Sequence, residues 1–301
     1  SNVLDGADVQ KTYSANYPGE FGGGLIDLRT VKDPGESYLK AKIGIGANLE
    51  TTAKEGIYYR GGDLDWLGYD DGLRDYPGPL QSILDSNTRL DSLTPGEIEA
   101  VGESLVNSPI SVIQEGAVGP NFEAGLDGGL SFDLGEDATL GLVGVVGYKQ
   151  DWTTERALRQ LVQGSQLGKE FDILETTLDA TVNGLASAAL SFGDNVVQAT
   201  GLYIHTASKQ AQKSSGFDFN APSSTGEVFD EFTGFYERDL LFGQLAGSHV
   251  FGELDIDWRG SIATSGRDAP YERSLRRFPD ANGQPIYSFA NNYRILFSQL
   301  Q

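Results

Sequence analysis

From Glu175 to Phe192, polar and apolar residues alternate for eighteen positions. The odd positions are Glu175, Thr177, Asp179, Thr181, Asn183, Leu185, Ser187, Ala189 and Ser191. The even positions are Thr176, Leu178, Ala180, Val182, Gly184, Ala186, Ala188, Leu190 and Phe192. Successive side chains of a strand point to opposite faces, so this pattern predicts one long strand with an oily wall and a wet wall. Ordinary strands run about 5–6 residues. A strand this long, with one face of each kind, suits a transmembrane β-barrel.

Other segments repeat the pattern. Leu39, Ala41, Ile43, Ile45, Ala47 and Leu49 are expected to face out, against Lys40, Lys42, Gly44, Gly46, Asn48 and Glu50. Phe122, Ala124, Leu126, Leu130, Phe132 and Leu134 oppose Glu123, Asp127, Ser131 and Asp133. Leu140, Leu142, Val146, Tyr148 and Trp152 form a further outward set, although Val143 and Val145 make its inner face partly apolar. Leu254, Ile256, Trp258 and Ile262 stand against Asp255, Asp257, Arg259 and Ser261. The segments 196–208, 232–251 and 289–301 read as strands whose facing is ambiguous.

Glycine and acidic residues interrupt the alternation at 132–137, 192–195 and 251–254, as tight hairpins require. Four intervening stretches, 54–119, 153–171, 209–231 and 266–288, read as long irregular loops. Short turns at one end and long loops at the other match periplasmic turns and extracellular loops. Within the first loop, Thr94-Pro95-Gly96-Glu97 predicts a capped helix running to Val106, and residues 156–167 suggest a second short helix.

Composition supports this picture. The 301 residues include 39 glycines and only 39% hydrophobic residues, as expected of a barrel with a polar lining. No run approaches 18 consecutive apolar residues, so no membrane-spanning helix is expected. The net charge of −21 argues against nucleic-acid partners. The absence of cysteine excludes disulfides and thiolate chemistry. Methionine is also absent, no signal peptide opens the chain, and the last residues fall within a strand pattern. Together these read as an internal fragment of a longer protein.

Residues 1–33 are different. Tyr17-Pro18-Gly19-Glu20-Phe21-Gly22-Gly23-Gly24 is a Gly-rich turn, followed by Leu25-Ile26-Asp27-Leu28-Arg29-Thr30 as a strand. No Lys-Ser or Lys-Thr follows the glycines, which disfavours a phosphate loop. The turn and strand resemble the end of the plug domain in TonB-dependent outer-membrane receptors. The segment 61–77, with Gly61-Gly62-Asp63-Leu64-Asp65-Trp66-Leu67-Gly68-Tyr69-Asp70-Asp71-Gly72, resembles the first extracellular loop of a proteobacterial branch of that family.

The resemblance implies an all-β fold, a transmembrane antiparallel up-and-down β-barrel of 22 strands closed by a plug. This chain would supply the plug's tail at 1–33 and roughly the first eight strands at 34–301. It also implies a location in the bacterial outer membrane and energy-coupled uptake of a bulky, scarce extracellular ligand such as a siderophore or carbohydrate. The partners would be outer-membrane lipid, that ligand and, through the plug's missing amino terminus, the TonB complex. No cofactor and no enzymatic step are expected. The plug-motif residues are Pro18, Glu20, Phe21, Gly22, Gly23, Gly24 and Arg29, the last able to lock the plug to wall carboxylates at Glu123, Asp127, Glu175 or Asp179.

Aromatic faces suit sugars and chelate rings, making Tyr58, Tyr59, Trp66, Tyr69, Trp152 and Tyr236 candidate ligand contacts, with Tyr271 and Tyr287 behind them. Asp63, Asp65, Asp70 and Asp71 are weak calcium candidates, lacking the spacing of a dedicated 12-residue loop. Two other readings remain open: a passive porin or structural barrel, which has no plug, and a soluble β-sandwich adhesin, whose oily faces would meet protein.

Overall fold

A computed structural model describes residues 4–10, 25–106, 112–221, 226–279, 285–287 and 293–300. For 4–10, 25–29, 285–287 and 293–300 it describes the backbone alone. The expected plug-motif residues Pro18, Glu20, Phe21, Gly22, Gly23 and Gly24, and the side chains of Arg29, Tyr271 and Tyr287, lie outside the described residues.

One antiparallel sheet carries most of the chain. Its strands are β3 (Tyr38–Gly46), β6 (Asn121–Asp133), β7 (Ala138–Gln163), β8 (Gln166–Phe192), β9 (Asn195–Asp218), β10 (Glu227–Phe251), β11 (Leu254–Pro279) and β12 (Pro285–Tyr287). They pair in the order β12-β11-β10-β9-β8-β7-β6-β3, and β13 (Tyr293–Leu300) also pairs with β11. From β6 to β11 each strand lies beside its sequence neighbour, an up-and-down order. Among the described residues the sheet is open, with β3 at one edge. Among the described residues no helix is long and apolar enough to cross a membrane.

The registers sort the side chains onto two walls. Between β8 and β9 the pairing runs from Lys169↔Asp218 to Phe192↔Asn195 without a shift, so the even residues of β8 share a face with the odd residues of β9. That face, the oily wall, also holds Leu39, Ile43, Leu126, Val146 and Leu241 by register. A shift in the β10–β11 ladder between Phe235 and Glu237 brings Leu254, Ile256, Trp258 and Ile262 onto the same wall. The alternation therefore predicts facing correctly along β3, β6, β8 and the lower part of β11.

The opposite wall is polar, and it explains Val143. A Cβ on its neighbour Gly141 would lie 2.1 Å from the Lys32 carbonyl oxygen, and one on Gly129 would lie 2.9 Å from Pro34. Bare glycine lets the segment Lys32–Pro34 lie against this wall. Val143, 5% exposed, is buried on the same face.

Three expected loops are corrected. Residues 153–163 continue β7, and 166–171 begin β8, across the two-residue turn Gly164-Ser165 with Gly164 at φ +66°. The helix expected at 156–167 is likewise strand and hairpin. Most of 209–231 belongs to β9 and β10, and 266–279 to β11. In 155–163 side chains on both faces of β7 are exposed, so no alternation marks a strand there, while the backbone ladder continues to the turn with one register shift between Leu161 and Val162. The strands reach 24 to 27 residues in β7 to β11. At about 3.3 Å per residue, 27 residues extend roughly 90 Å.

The remaining loop is a folded unit. It contains β4 (Glu55–Tyr59) paired with β5 (Ile113–Ala117), a 3-10 turn at Asp65–Leu67, α1 (Gly78–Asp85) and α2 (Pro95–Val106). The expected capping box is present: Glu97 accepts from Thr94 N at 2.8 Å, and Glu97 N donates back to Thr94 Oγ1 at 3.4 Å. A separate pair, β1 (Leu4–Gln10) with β2 (Leu25–Thr30), precedes the sheet.

Candidate functional site

The folded loop docks on the oily wall, at its upper end. Ile57 N donates to Thr176 Oγ1 at 3.1 Å, and Thr154 N donates to Thr51 Oγ1 at 2.8 Å. A Cβ on Gly56 would strike Val118 at 2.4 Å and Thr176 Oγ1 at 3.0 Å, so glycine here sets how closely β4 approaches the sheet. Ile57, Tyr59 and Ala211 form a buried cluster flanked by Leu73, Ile113 and Leu174.

The anchor of this interface is Arg74. Its side chain is fully buried and donates to Asp65 at 2.7 and 2.8 Å and to Asp70 at 2.8 Å. Its guanidinium lies 3.9 Å from the centre of the Phe235 ring. Lys209, from β9, reaches Asp65 at 2.7 Å and lies 4.6 Å from the centre of the Tyr59 ring. Burial alone would raise the Asp65 carboxyl. Hydrogen bonds and charge from Arg74, joined by Lys209, outweigh it and hold the group below its ordinary value. The same carboxylates more than offset the burial of Arg74 and raise it. Lys209 is lowered, chiefly by desolvation and further by the nearby Arg74, with Asp65 opposing.

Beside this anchor, Tyr69 stacks on His205 with ring centres 3.8 Å apart. His205 is 1% exposed, with Nδ1 2.8 Å from Asp239 and Nε2 2.7 Å from the Gly68 carbonyl oxygen. Gly68 sits at φ +89°, and a Cβ there would meet Ala207 at 3.0 Å and Ala180 at 3.2 Å. Glu237 accepts from Asp70 N at 3.1 Å and is raised, mainly by desolvation.

These contacts reassign the acidic candidates. Asp65 and Asp70 neutralise Arg74, and Asp71 accepts from the Asp63 amide at 2.6 Å. The carboxylates of Asp65, Asp70 and Asp71 serve cations and amides of the protein itself, and among the described residues no group of three or more acidic or histidine side chains is placed to hold a metal ion. The aromatic candidates also separate. Tyr59 is 2% exposed and donates to the Gly234 carbonyl oxygen at 2.9 Å, which makes it a packing residue. Tyr69 is half-buried in the docking interface. Trp66 is 53% exposed and packs edge-on to Tyr148 at 5.8 Å. Tyr58 lies beside Gly116, and Trp152 lies at the rim of the docked loop near Gly119. Tyr236 is on the other face of the sheet, where Arg267 approaches its ring at 5.5 Å. The six aromatic residues therefore do not converge on one site.

The polar wall holds two arrangements. Low on it, Thr30 at the end of β2 is 9% exposed and donates to Ser187 Oγ at 3.2 Å. Gln198 Nε2 donates to both Thr30 Oγ1 at 2.8 Å and Ser187 Oγ at 3.0 Å. At the upper end of the same wall is a cavity of about 540 Å³ between β7 and β11. Thr30 and His205 are not distinguishable as contact residues from sequence, since their partners lie up to 168 positions away, whereas the Arg74 ion partners Asp65 and Asp70 are only nine and four positions off.

Comparison with protein-family models, curated proteins and solved structures finds no match.

Proposed function

We propose that the chain is the plug-proximal part of a TonB-dependent outer-membrane transporter, taking up a bulky extracellular ligand through plug rearrangement. The observation that carries this reading is the lower oily wall. Leu39, Ile43, Ile45, Leu245 and Ile262 are 54–78% exposed, and Leu126, Leu130 and Val146 extend the same surface. Monomeric soluble proteins rarely expose contiguous apolar surface beyond a few hundred Å². A bilayer covers such a wall, and segments of about 9–11 residues suffice to cross it. Residues 138–146, 184–192, 195–203, 241–251 and 254–264 would be the spanning parts of β7 to β11. Their upward continuations would stand outside the membrane with the docked loop.

The tail of the amino-terminal segment favours a plugged transporter over a passive porin. Thr30 and the segment Lys32–Pro34 meet the polar wall through Ser187, Gln198, Gly141 and Gly129. A porin has no such segment inside its lumen. A soluble sandwich, in turn, would bury the wall that is bare here.

The test uses the absence of cysteine from residues 1–301, with any cysteine elsewhere in the full-length protein replaced by serine. In the full-length receptor, Thr30→Cys is labelled with a water-soluble maleimide in cells respiring in their own growth medium. Labelling is expected to rise with an active TonB complex and to fall when the proton gradient is collapsed. Equal labelling with and without TonB would reject energy-coupled movement of this contact.

A further inference from the structure

We infer that the cavity at the upper end of the polar wall is a binding site for a neutral, polyhydroxylated ligand of the oligosaccharide class. This rests on the transporter reading and specifies its cargo.

The cavity is built by consecutive cross-strand rows. One row is Glu175–Gln212–Phe232–Ser274, and the next is Ile173–Ser214–Asp230–Arg276. Phe171 and Ile173, each 8% exposed, belong to a buried cluster with Val228 and Phe278, which gives the site a rigid apolar base. Phe232 and Tyr236 flank Gly234 on the same wall, and a Cβ there would lie 3.1 Å from the Phe232 ring and 3.0 Å from the Tyr236 hydroxyl. The two aromatic side chains thus close over Gly234.

Most charges in and around this cavity serve one another, while Arg159 stands exposed on its β7 side. Arg276 donates to Asp230 at 2.7 Å through two nitrogens and lies 3.2 Å from Asp218. Lys169 binds Asp218 at 2.8 Å, and Arg277 binds Glu231. An anionic ligand, such as a ferric chelate, could meet only Arg159 without breaking these pairs, and each broken pair would leave a partly buried carboxylate without its cation. The carboxamides of Gln210 and Gln212 and the hydroxyl of Ser274 remain to bind a ligand. Amides both donate and accept, which matches hydroxyl groups, and aromatic faces cover the apolar face of a sugar ring. About 540 Å³ falls in the usual range of ligand sites, about 300–1,000 Å³.

The purified full-length receptor in detergent is applied to an array of neutral and uronate-bearing oligosaccharides, and binding of ferric citrate is measured in parallel by titration. Selective capture of neutral oligosaccharides is expected, weakened at least tenfold by the Gln210→Ala, Gln212→Ala double variant and by Phe232→Ala. Binding of ferric citrate or uronates in preference, no capture on the array, or unchanged capture by the variants would overturn the assignment. Unchanged heat-modifiable migration of each variant establishes that it is folded. TonB-dependent labelling at Thr30→Cys, scored separately, tells failure of the ligand class from failure of the transporter reading.

Discussion

The lower and upper halves of the oily wall are continuous along the same strands, yet they are finished differently. Low on the wall, Leu245 and Ile262 are 54% and 78% exposed. Higher up, Leu178 and Ala180 are 6% and 2% exposed beneath the docked loop. The alternation along β8 is the same in both halves, so the difference comes from what covers the face. Protein covering requires polar groups to be matched one by one, and the loop brings Asp65, Asp70 and Arg74 for that purpose. On the proposed reading lipid covers the lower half and makes no such demand, and among the described residues that half is apolar apart from His249 beside Asn195 at the turn end. Hydrophobic alternation therefore reports which wall a residue is on, and the polar residues facing it report what lies over that wall.

The largest effect is expected at Arg74. Arg74→Ala leaves Asp65 buried with Lys209 alone, and breaking a buried pair costs about 3–5 kcal/mol. Tryptic cleavage at Arg60 in the loop should accelerate about a hundredfold or more, with membrane residence unchanged. If cleavage is unaffected, the loop is not held by this network.

Ile262→Arg tests the other half. A charge on a lipid-facing strand costs about 2–4 kcal/mol at the bilayer midplane. Urea unfolding in lipid vesicles should show that loss, while cleavage at Arg60 stays as in wild type. The reverse pattern would mean that the two halves are not covered by different media.

Gly68→Ala should loosen docking by about 1–3 kcal/mol, because φ +89° is strained for a side chain and the added Cβ meets Ala207 and Ala180. Tryptic cleavage at Arg60 should fall between wild type and Arg74→Ala.

Acid should act on the upper half alone. The folded Asp65 carboxyl lies below its ordinary value of 3.8. Its stabilisation is complete above about that pH and is lost as the pH falls through the lower folded value. A pH series of loop cleavage with an acid-stable protease should show this loss, and Asp65→Asn should weaken the pH dependence to what the Glu115–Lys213 pair across the same interface supplies.

The smallest effect is expected at Thr30→Val, which removes hydrogen bonds worth about 1 kcal/mol from the contact with Ser187 and Gln198. Maleimide labelling of a cysteine at Ser187 should rise several-fold.

Much of this division can be read in the sequence, up to the height where the oily wall ends. The facing of β3, β6 and lower β11 follows from strict alternation, and the turns at 134–137, 193–194 and 252–253 follow from their glycines. The segment 196–208 was ambiguous because Leu202 and Ile204 place apolar groups on the polar wall. Residues 155–163 look irregular because a strand exposed on both faces needs no alternation. The docked loop was hidden for another reason: Asp65 and Lys209 are 144 positions apart, and local pattern carries no trace of their pairing. Of the expected ligand aromatics, Tyr59 and Tyr69 became docking contacts, since aromatic type alone does not distinguish a binding face from a packed one.

Spin labels placed at Ile262, Leu178 and Asn183 in the reconstituted full-length protein test the division most directly, through collision with oxygen dissolved in lipid and with a water-soluble nickel chelate. Lipid exposure requires high oxygen and low nickel accessibility at Ile262→Cys, low values of both at Leu178→Cys, and higher nickel accessibility at Asn183→Cys than at the other two. High nickel accessibility at Ile262→Cys would place the bare wall in water and contradict the membrane placement.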